Sequence, residues 1–227
     1  MSKIKAHSRV ASVTSLLVVT SLAVVAHATP PAGKPAPAPL EPSGVKLEGD
    51  VIWTAVSGDT ADKAASLGQD NDFQALYAFT RWEDSDDPCK FDAFTRHLNQ
   101  EDDTKVDSTK FCSGSPGNDK TVIRRAKNEY VTAVQVCATD KNESARDKVK
   151  GVRLWGRIVD PKTGVLGAEN GPAEATHTNC KEWKAKVSCP AGTVASKLKV
   201  YSSRYTWSDA GVGKGLALGC RRVVRKS

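Results

Sequence analysis

The residues of this sequence best suited to chemistry are the carboxylates of two short acidic runs. A glycoside hydrolase uses two such groups about 5 to 10 Å apart, one as an acid and the other as a nucleophile or base. Acidic runs also commonly form solvated loops, and the sequence does not place any two of these groups across a cleft. A hydrolase is therefore an alternative hypothesis. Its candidate residues are Glu83, Asp84, Asp86, Asp87, Glu101, Asp102 and Asp103.

Other catalytic and metal-binding patterns are incomplete. A nucleophilic mechanism needs a base such as histidine beside a serine or cysteine, but His97 and His177 lie in polar stretches typical of solvated side chains. No cysteines have the Cys-x-x-Cys spacing of a zinc site, and "GQDNDF" and "EDSDD" lack the twelve-residue calcium loop. We therefore predict no catalytic residue, no metal and no cofactor, and expect that the protein is not an enzyme.

Aromatic residues supply the best binding candidate. The stretch "YSSRYTWSDAG" carries Tyr201, Tyr205 and Trp207 beside Asp209. Flat rings stack on the apolar face of a sugar, and adjacent polar groups orient it. We predict a glycan-binding surface there, with a cap over the protein core as the alternative for Tyr201 and Trp207. The remaining tryptophans are predicted to be structural: Trp53, Trp82, Trp155 and Trp183.

The start of the chain has the composition of an export signal. Residues 1–28 combine three basic residues, an uncharged stretch and a small-residue cleavage site. Its removal leaves 30 basic against 26 acidic residues, a net charge of +4. Those charges are interspersed, apart from the short tail "RRVVRKS", so a nucleic-acid partner is not expected. Neither is stable membrane insertion once the signal has been cleaved.

Six cysteines follow the predicted cleavage site. An even number in an exported chain predicts three disulfides and an oxidising compartment, with 15 pairings open. The cysteines are Cys89, Cys112, Cys137, Cys180, Cys189 and Cys220. We therefore predict a secreted protein, in a periplasm or outside the cell.

The elements that must position these residues are mainly strands. A proline- and alanine-rich segment, 29–44, predicts a disordered tether, and 45–227 is long enough for a single domain with one core. Within it apolar residues alternate with polar ones, as in "TVASKLKVY" and "TAVQVC", the pattern of half-buried strands. The best helical candidate is "GDTADKAASL", residues 58–67, with Asp59 or Thr60 as its cap.

Two strand pairs repeat at an offset of 64 residues. Segments 129–159 and 193–223 each predict a strand, a loop, a Lys-Gly pair and a returning strand, with that glycine in a turn of positive φ. A chance match of two amphipathic hairpins is the alternative. A fainter copy spans 89–112. The shared residues are Val136/Val200, Ser144/Ser208, Lys150/Lys214, Gly151/Gly215, Leu154/Leu218, Arg157/Arg221 and Val159/Val223.

These repeats resemble the vitelline membrane outer layer protein I family. "EDDTKVDSTKFC", "RDKVKGVRLWG" and "VSCPAGTVASKLKV" are the matching stretches. The resemblance implies a secreted, disulfide-bonded β-prism of three Greek-key sheets around a pseudo-threefold axis. We therefore predict an all-β, β-prism-like fold of repeated antiparallel sheets stabilised by disulfides. Cys189 and Cys220 bracket the last copy and form the favoured pair.

The sequence thus favours a secreted β protein that binds glycans or acts structurally at the cell envelope or in the extracellular matrix. The alternatives are a secreted hydrolase and an inhibitor of an exported enzyme, for which a rigid disulfide scaffold is equally suitable. The oligomeric state is left open.

Overall fold

The fold is built only from strands among the residues that the structure describes. The computed structural model describes residues 44–61, 63–84, 87–113, 115–139, 147–203 and 211–226, without the side chains of 100–102. The predicted signal, 1–28, and all but the last residue of the predicted tether lie outside these ranges. The strands are β1 (Val45–Trp53), β2 (Ser57–Gly58), β3 (Lys63–Gly68), β4 (Gln74–Asp84), β5 (Asp87–His97), β6 (Gln100–Lys110), β7 (Lys120–Arg124), β8 (Glu129–Ala138), β9 (Val149–Val159), β10 (Leu166–Thr176), β11 (Glu182–Trp183), β12 (Val187–Ser188), β13 (Thr193–Ser202) and β14 (Gly213–Arg225).

The strands form three antiparallel sheets. Sheet I has the order β6-β5-β4-β7, and sheet II has β10-β9-β8-β11 with β12 also on β8. Sheet III has β1-β14-β13-β3 with β2 also on β14, so strands from both ends of the domain complete it. All three sheets contribute side chains to one buried cluster, including Phe79, Val134 and Leu198. Three sheets packed around one core form a β-prism, so the predicted fold class is confirmed.

The inner hairpin of each sheet has the same register. In sheet II the ladder shifts between Val131 and Ala133, and in sheet III it shifts between Ala195 and Lys197, 64 residues later in each case. On either side of this bulge every described pair of one hairpin has its counterpart in the other, as in Val134 with Leu154 and Leu198 with Leu218. The repeat seen in the sequence is therefore a repeat of backbone pairing.

The first copy differs in position from the sequence expectation. Residues 89–112 fall on β5 and β6, the outer pair of sheet I. The pair equivalent to the other two copies is β4 with β5, 74–97, where the ladder shifts between Leu76 and Ala78. The sequence pattern misplaced this copy because the cysteines that mark its apparent limits join β5 to the segment after β6 and do not bracket the inner hairpin.

The predicted helix at 58–67 is wrong. Gly58 ends β2, and β3 begins at Lys63 and pairs with β13, for example Ser66 with Lys199. An isolated helix of this length is marginal in water. A strand in its place gives β13 a second hydrogen-bonded neighbour, so tertiary pairing overrides the local helical pattern.

The glycines of the two Lys-Gly pairs do not form turns. Gly151 lies inside β9 opposite Cys137, and Gly215 lies inside β14 opposite Tyr201. Neither has a positive φ. A Cβ on Gly215 would lie 2.5 Å from the Asp59 carbonyl oxygen. The expectation of a left-handed turn is therefore wrong, and close packing against a neighbouring chain segment explains the glycine instead.

Three disulfides each join a strand to a segment outside the strands. Cys89 is bonded to Cys112 within sheet I, and Cys137 to Cys180 within sheet II. Cys189 is bonded to Cys220, which joins the segment after β12 to β14. The last pair is the one favoured above. Among the described residues no helix is long and apolar enough to cross a membrane.

Candidate functional site

The three inner hairpins all turn at one end of the prism, called here the hairpin end. Lys148 before β9 pairs with Asp87 at the start of β5, which brings the turns of sheets I and II together. Arg81 of β4 donates from Nη1 to the Val149 carbonyl oxygen at 2.6 Å. Gly213 of sheet III packs against the Phe91 ring of sheet I. The described ends of the three inner hairpins are therefore neighbours.

A cleft of about 260 Å³ opens at the hairpin end between sheets I and III. Its wall on sheet I is formed where β6 ends, and its wall on sheet III by the start of β3 and the residue after β13. The Cys89–Cys112 disulfide holds the sheet I wall, and the Phe111 amide donates to the Cys89 carbonyl oxygen at 2.7 Å. The lining residues are Lys63, Lys110, Phe111, Cys112, Ser113 and Ser203.

The cleft offers the groups that recognise polar ligands. Phe111 supplies a half-buried ring that also packs edge-on against Phe91 at 6.2 Å between centroids. Ser113 and Ser203 supply hydroxyl groups, and the exposed Lys63 and Lys110 supply ammonium groups. Sequence reasoning missed these residues, because no local pattern signals that β6 ends beside the β13–β14 hairpin.

The predicted ligand residues adjoin this cleft in the chain. Tyr201 is half-buried and pairs with Gly215 of β14 and Ala64 of β3, two residues before the lining Ser203. Tyr205, Trp207 and Asp209 lie outside the described residues. Ser203 and Val212, which lie on either side of the segment that carries these three residues, are joined by the hydrogen bond from the Ser203 amide to the Val212 carbonyl oxygen, 3.0 Å.

Sheet I separates the two acidic runs of the hydrolase hypothesis. Glu83 pairs with Pro88 near one end of β5, whereas Asp103 precedes Thr104, which pairs with Arg96 near the other. Eight residues of strand at about 3.4 Å each separate these positions by about 27 Å, too far for a pair of glycosidase carboxylates. A hydrogen bond from Lys105 holds the pKa of Asp103 below its ordinary value, which also makes Asp103 a poor general acid. Asp86 lies outside the described residues, as do the side chains of Glu101 and Asp102.

Glu83 is a buried charge with cationic neighbours. Its side chain is 3% exposed, and those of Arg81 and Lys150 are 2% and 0% exposed. Arg81 Nη2 lies 3.0 Å and Lys150 Nζ 3.5 Å from Glu83 Oε1. Lys150, the lysine of the first Lys-Gly pair, therefore belongs to a buried ion cluster between sheets I and II.

His177 extends this cluster toward the surface. It follows β10, and its Nε2 lies 3.0 Å from Asp119 Oδ2 while its Nδ1 lies 3.6 Å from Glu83 Oε2. One ligand atom from each of Glu83, Asp119 and His177 lies within 4.8 Å of the others, as a metal ion requires. The sequence predicted a solvated His177, because no residue near it in the chain indicates that Glu83 and Asp119 lie beside it.

The other histidine is held by packing. His97 stacks on Phe73 with ring centroids 5.2 Å apart, and its Nδ1 accepts a hydrogen bond from the Asn99 amide at 3.1 Å. Burial lowers the pKa of His97 against the opposing influence of Asp103. His97 is therefore a half-buried packing residue and not the solvated histidine that the sequence predicted.

The tryptophans of the sheet faces carry cations. Lys199 Nζ lies 3.8 Å from the ring centroid of Trp53, and Lys186 Nζ lies 4.3 Å from that of Trp155. Lys90 covers Trp82 and Arg153 covers Trp183 in the same way. Such contacts stabilise the cation over the ring. A sugar would have to displace these cations in order to stack on the same ring faces. The aromatic residues of the hairpin end are therefore the better candidates for sugar binding.

Solved structures of lectins are similar to this chain. Calystegia sepium agglutinin matches with a TM-score of 0.50 and 7% identity over 77% of this chain and 99% of that one. Calsepa lectin in complex with a biantennary N-glycan matches with a TM-score of 0.50 and 8% identity over 78% and 99%. A mannose-specific jacalin-related lectin from Morus Nigra, in complex with mannose, matches at 0.44 and 11% over 77% and 96%.

The comparisons define a fold and not a family. The first two matches span nearly the whole of the lectin chains, and at this identity they establish the β-prism architecture. No family model matches the sequence, and no curated protein matches it.

Proposed function

We propose that this protein binds glycans at the hairpin end, through the cleft and the aromatic residues of the β13–β14 loop. The cleft itself is the observation that carries the proposal. It combines the Phe111 ring with the hydroxyl groups of Ser113 and Ser203 at the point where the chain enters that loop. An apolar ring with a few converging polar groups is the usual composition of a sugar site.

The fold supports the same function. Calsepa lectin, which shares the architecture, was solved with a biantennary N-glycan bound. A prism presents its loops on a rigid frame, and here disulfides tie each repeat. A frame that is held in place before the ligand arrives lowers the entropic cost of binding, which favours affinity.

The remaining parts of the proposal follow from the sequence. We propose that the protein is secreted, is related to the vitelline membrane outer layer protein I family, and acts as a binding protein and not as an enzyme. Its partners are glycans of a cell envelope or extracellular matrix. The three disulfides are compatible with an oxidising compartment.

A glycan array followed by calorimetry tests the binding site. We expect Trp207→Ala to weaken binding of the sugars found on the array at least about fivefold, because stacking on one aromatic ring contributes about 1 kcal/mol or more. Trp155→Ala is the matched control, since Trp155 lies on the face of sheet II beneath Lys186, and it should leave affinity unchanged.

Two results would contradict the proposal. Absence of binding to every glycan on the array would remove the function, and equal loss of binding in both variants would remove the site. Phe111→Leu then tests the cleft separately from the loop, and it too should weaken binding because it removes the ring and keeps the apolar volume.

A further inference from the structure

Three metal-ligating side chains meet where sheet I adjoins sheet II, and the proposed glycan site does not use them. They are Glu83 at the end of β4, Asp119 just before β7 and His177 just after β10. We propose that this triad binds a divalent ion of the zinc class. The inference is independent of the proposed glycan binding.

The backbone holds the triad in place. The Glu83 amide donates to the Asp119 carbonyl oxygen at 3.1 Å, and the His177 amide donates to the Lys150 carbonyl oxygen at 2.8 Å. Thr178 Oγ1 lies 3.0 Å from His177 Nδ1 and helps to orient the ring. Only side-chain rotation is then needed to enclose an ion, so little conformational entropy is lost on binding.

One oxygen of the Glu83 carboxylate, Oε2, faces the triad without a hydrogen-bond partner among the described residues. It is 3% exposed, and no donor among the described residues makes a hydrogen bond to either oxygen. Arg81 and Lys150 approach Oε1 as ion pairs, while Oε2 faces the His177 ring at 3.6 Å. Buried carboxylate oxygens normally have a partner. A bound cation would supply one to Oε2.

The donor set indicates the class of ion. Calcium and magnesium select oxygen ligands only, whereas zinc accepts one imidazole nitrogen together with carboxylate oxygens. Zinc bonds of about 2.1 Å place tetrahedral ligand atoms about 3.4 Å apart. His177 Nε2 lies 3.0 Å from Asp119 Oδ2, and Nδ1 of the same ring lies 3.6 Å from Glu83 Oε2, so the ring has to rotate to present one nitrogen to an ion between the two carboxylates. Asp119, which is 64% exposed, is able to rotate to complete the set.

Two cations limit the strength of the site. Arg81 and Lys150 lie on the oxygen opposite the triad, where partners of a ligating carboxylate commonly orient it. Their charges also repel a divalent ion across the buried carboxylate. We therefore expect micromolar zinc affinity, with one ion bound per chain and a coordination position left for water.

Zinc titration of the protein, purified without a histidine tag and freed of metal by chelation, tests the site. Calorimetry with zinc chloride should show one site, and cobalt chloride should give the visible absorption of a four-coordinate ion. Asp119→Asn changes an exposed side chain and should preserve the fold while weakening zinc binding at least about tenfold. His177→Gln should do the same and abolish the cobalt absorption.

Asp103→Asn is the matched control, because Asp103 lies near the other histidine, His97. It should leave zinc binding unchanged. Failure of the parent protein to bind zinc at about millimolar concentration would overturn the proposal. Zinc affinity that Asp119→Asn leaves unchanged would overturn it equally, even if His177→Gln failed to fold. Neither result bears on glycan binding.

Discussion

Single residues at the edges of the core carry charge that the fold neutralises. Arg125 and Glu129 are 7% and 3% exposed and form a two-pronged pair, Nη2 to Oε1 at 2.6 Å and Nε to Oε2 at 3.1 Å. Asn170 and the Ala126 amide donate to the same carboxylate. Burial alone raises the pKa of Glu129, but these hydrogen bonds outweigh it and hold the pKa below its ordinary value.

Glu129→Gln should therefore destabilise the protein by about 3 to 5 kcal/mol at neutral pH, because Arg125 would stay buried without a counter-charge. A carboxyl group whose pKa is lower in the folded protein contributes stability that is fully present above its pKa in the unfolded chain, about 4.3. This stability is lost as the pH falls through the pKa of the folded protein. Denaturant unfolding should show that the difference in unfolding free energy between the parent protein and Glu129→Gln becomes smaller below about pH 4.3. Glu48→Gln, in an exposed pair with Lys46, should cost under about 1 kcal/mol. A difference between the parent protein and Glu129→Gln that stayed constant down to acid pH would contradict this account.

At the scale of elements, the unit of the fold is a bulged hairpin. Each inner hairpin has its bulge at the same place, beside Tyr77, Thr132 or Ser196. A bulge shifts the side chains beyond it to the other face of the strand. In β13 this shift lets Ala195 and Leu198 both enter the main core, while Val194 joins a second cluster with Val45 and Leu47. Strict alternation through 193–201 would have placed Val194 and Leu198 together.

Gly215→Ala should show that the Lys-Gly pair serves close packing. A Cβ there would meet the Asp59 carbonyl oxygen at 2.5 Å and Val56 Cγ1 at 2.8 Å, and we expect a loss of about 1 to 3 kcal/mol of unfolding free energy. Gly171→Ala is the control, because a Cβ on that strand glycine meets nothing within 4 Å, and it should change stability by under about 0.5 kcal/mol. Equal effects in chemical denaturation would refute the packing argument.

At the scale of the whole molecule, sheet III is completed by strands from the two ends of the domain. Val45 of β1 pairs with Arg225 of β14, so sheet III is complete only when both ends of the domain are in place. The three disulfides add constraints within this closed topology. They span 23, 31 and 43 residues. In the chain-entropy model such loops contribute about 3.4 to 4.0 kcal/mol each.

Replacing both cysteines of any one disulfide with alanine should lower the free energy of unfolding by about 2 to 5 kcal/mol. Alanine suits these positions because Cys89, Cys137 and Cys220 are fully buried. Urea unfolding measures the loss, and the parent protein treated with a reductant should show the combined effect. A peptide map under non-reducing conditions that joined Cys189 to any cysteine other than Cys220 would contradict the structure.

The sequence by itself determined the class of fold and the repeat of its last two units. Alternation along a strand and the offset between 129–159 and 193–223 are local properties, and they are visible in the order of the residues. Only the tertiary structure decided that 58–67 adds a strand to β13, that the first repeat is 74–97, and that Glu83 meets Asp119 and His177. These outcomes depend on pairing between strand edges, and between buried charged groups, that are far apart in the chain. Such pairing leaves no local pattern in the order of the residues.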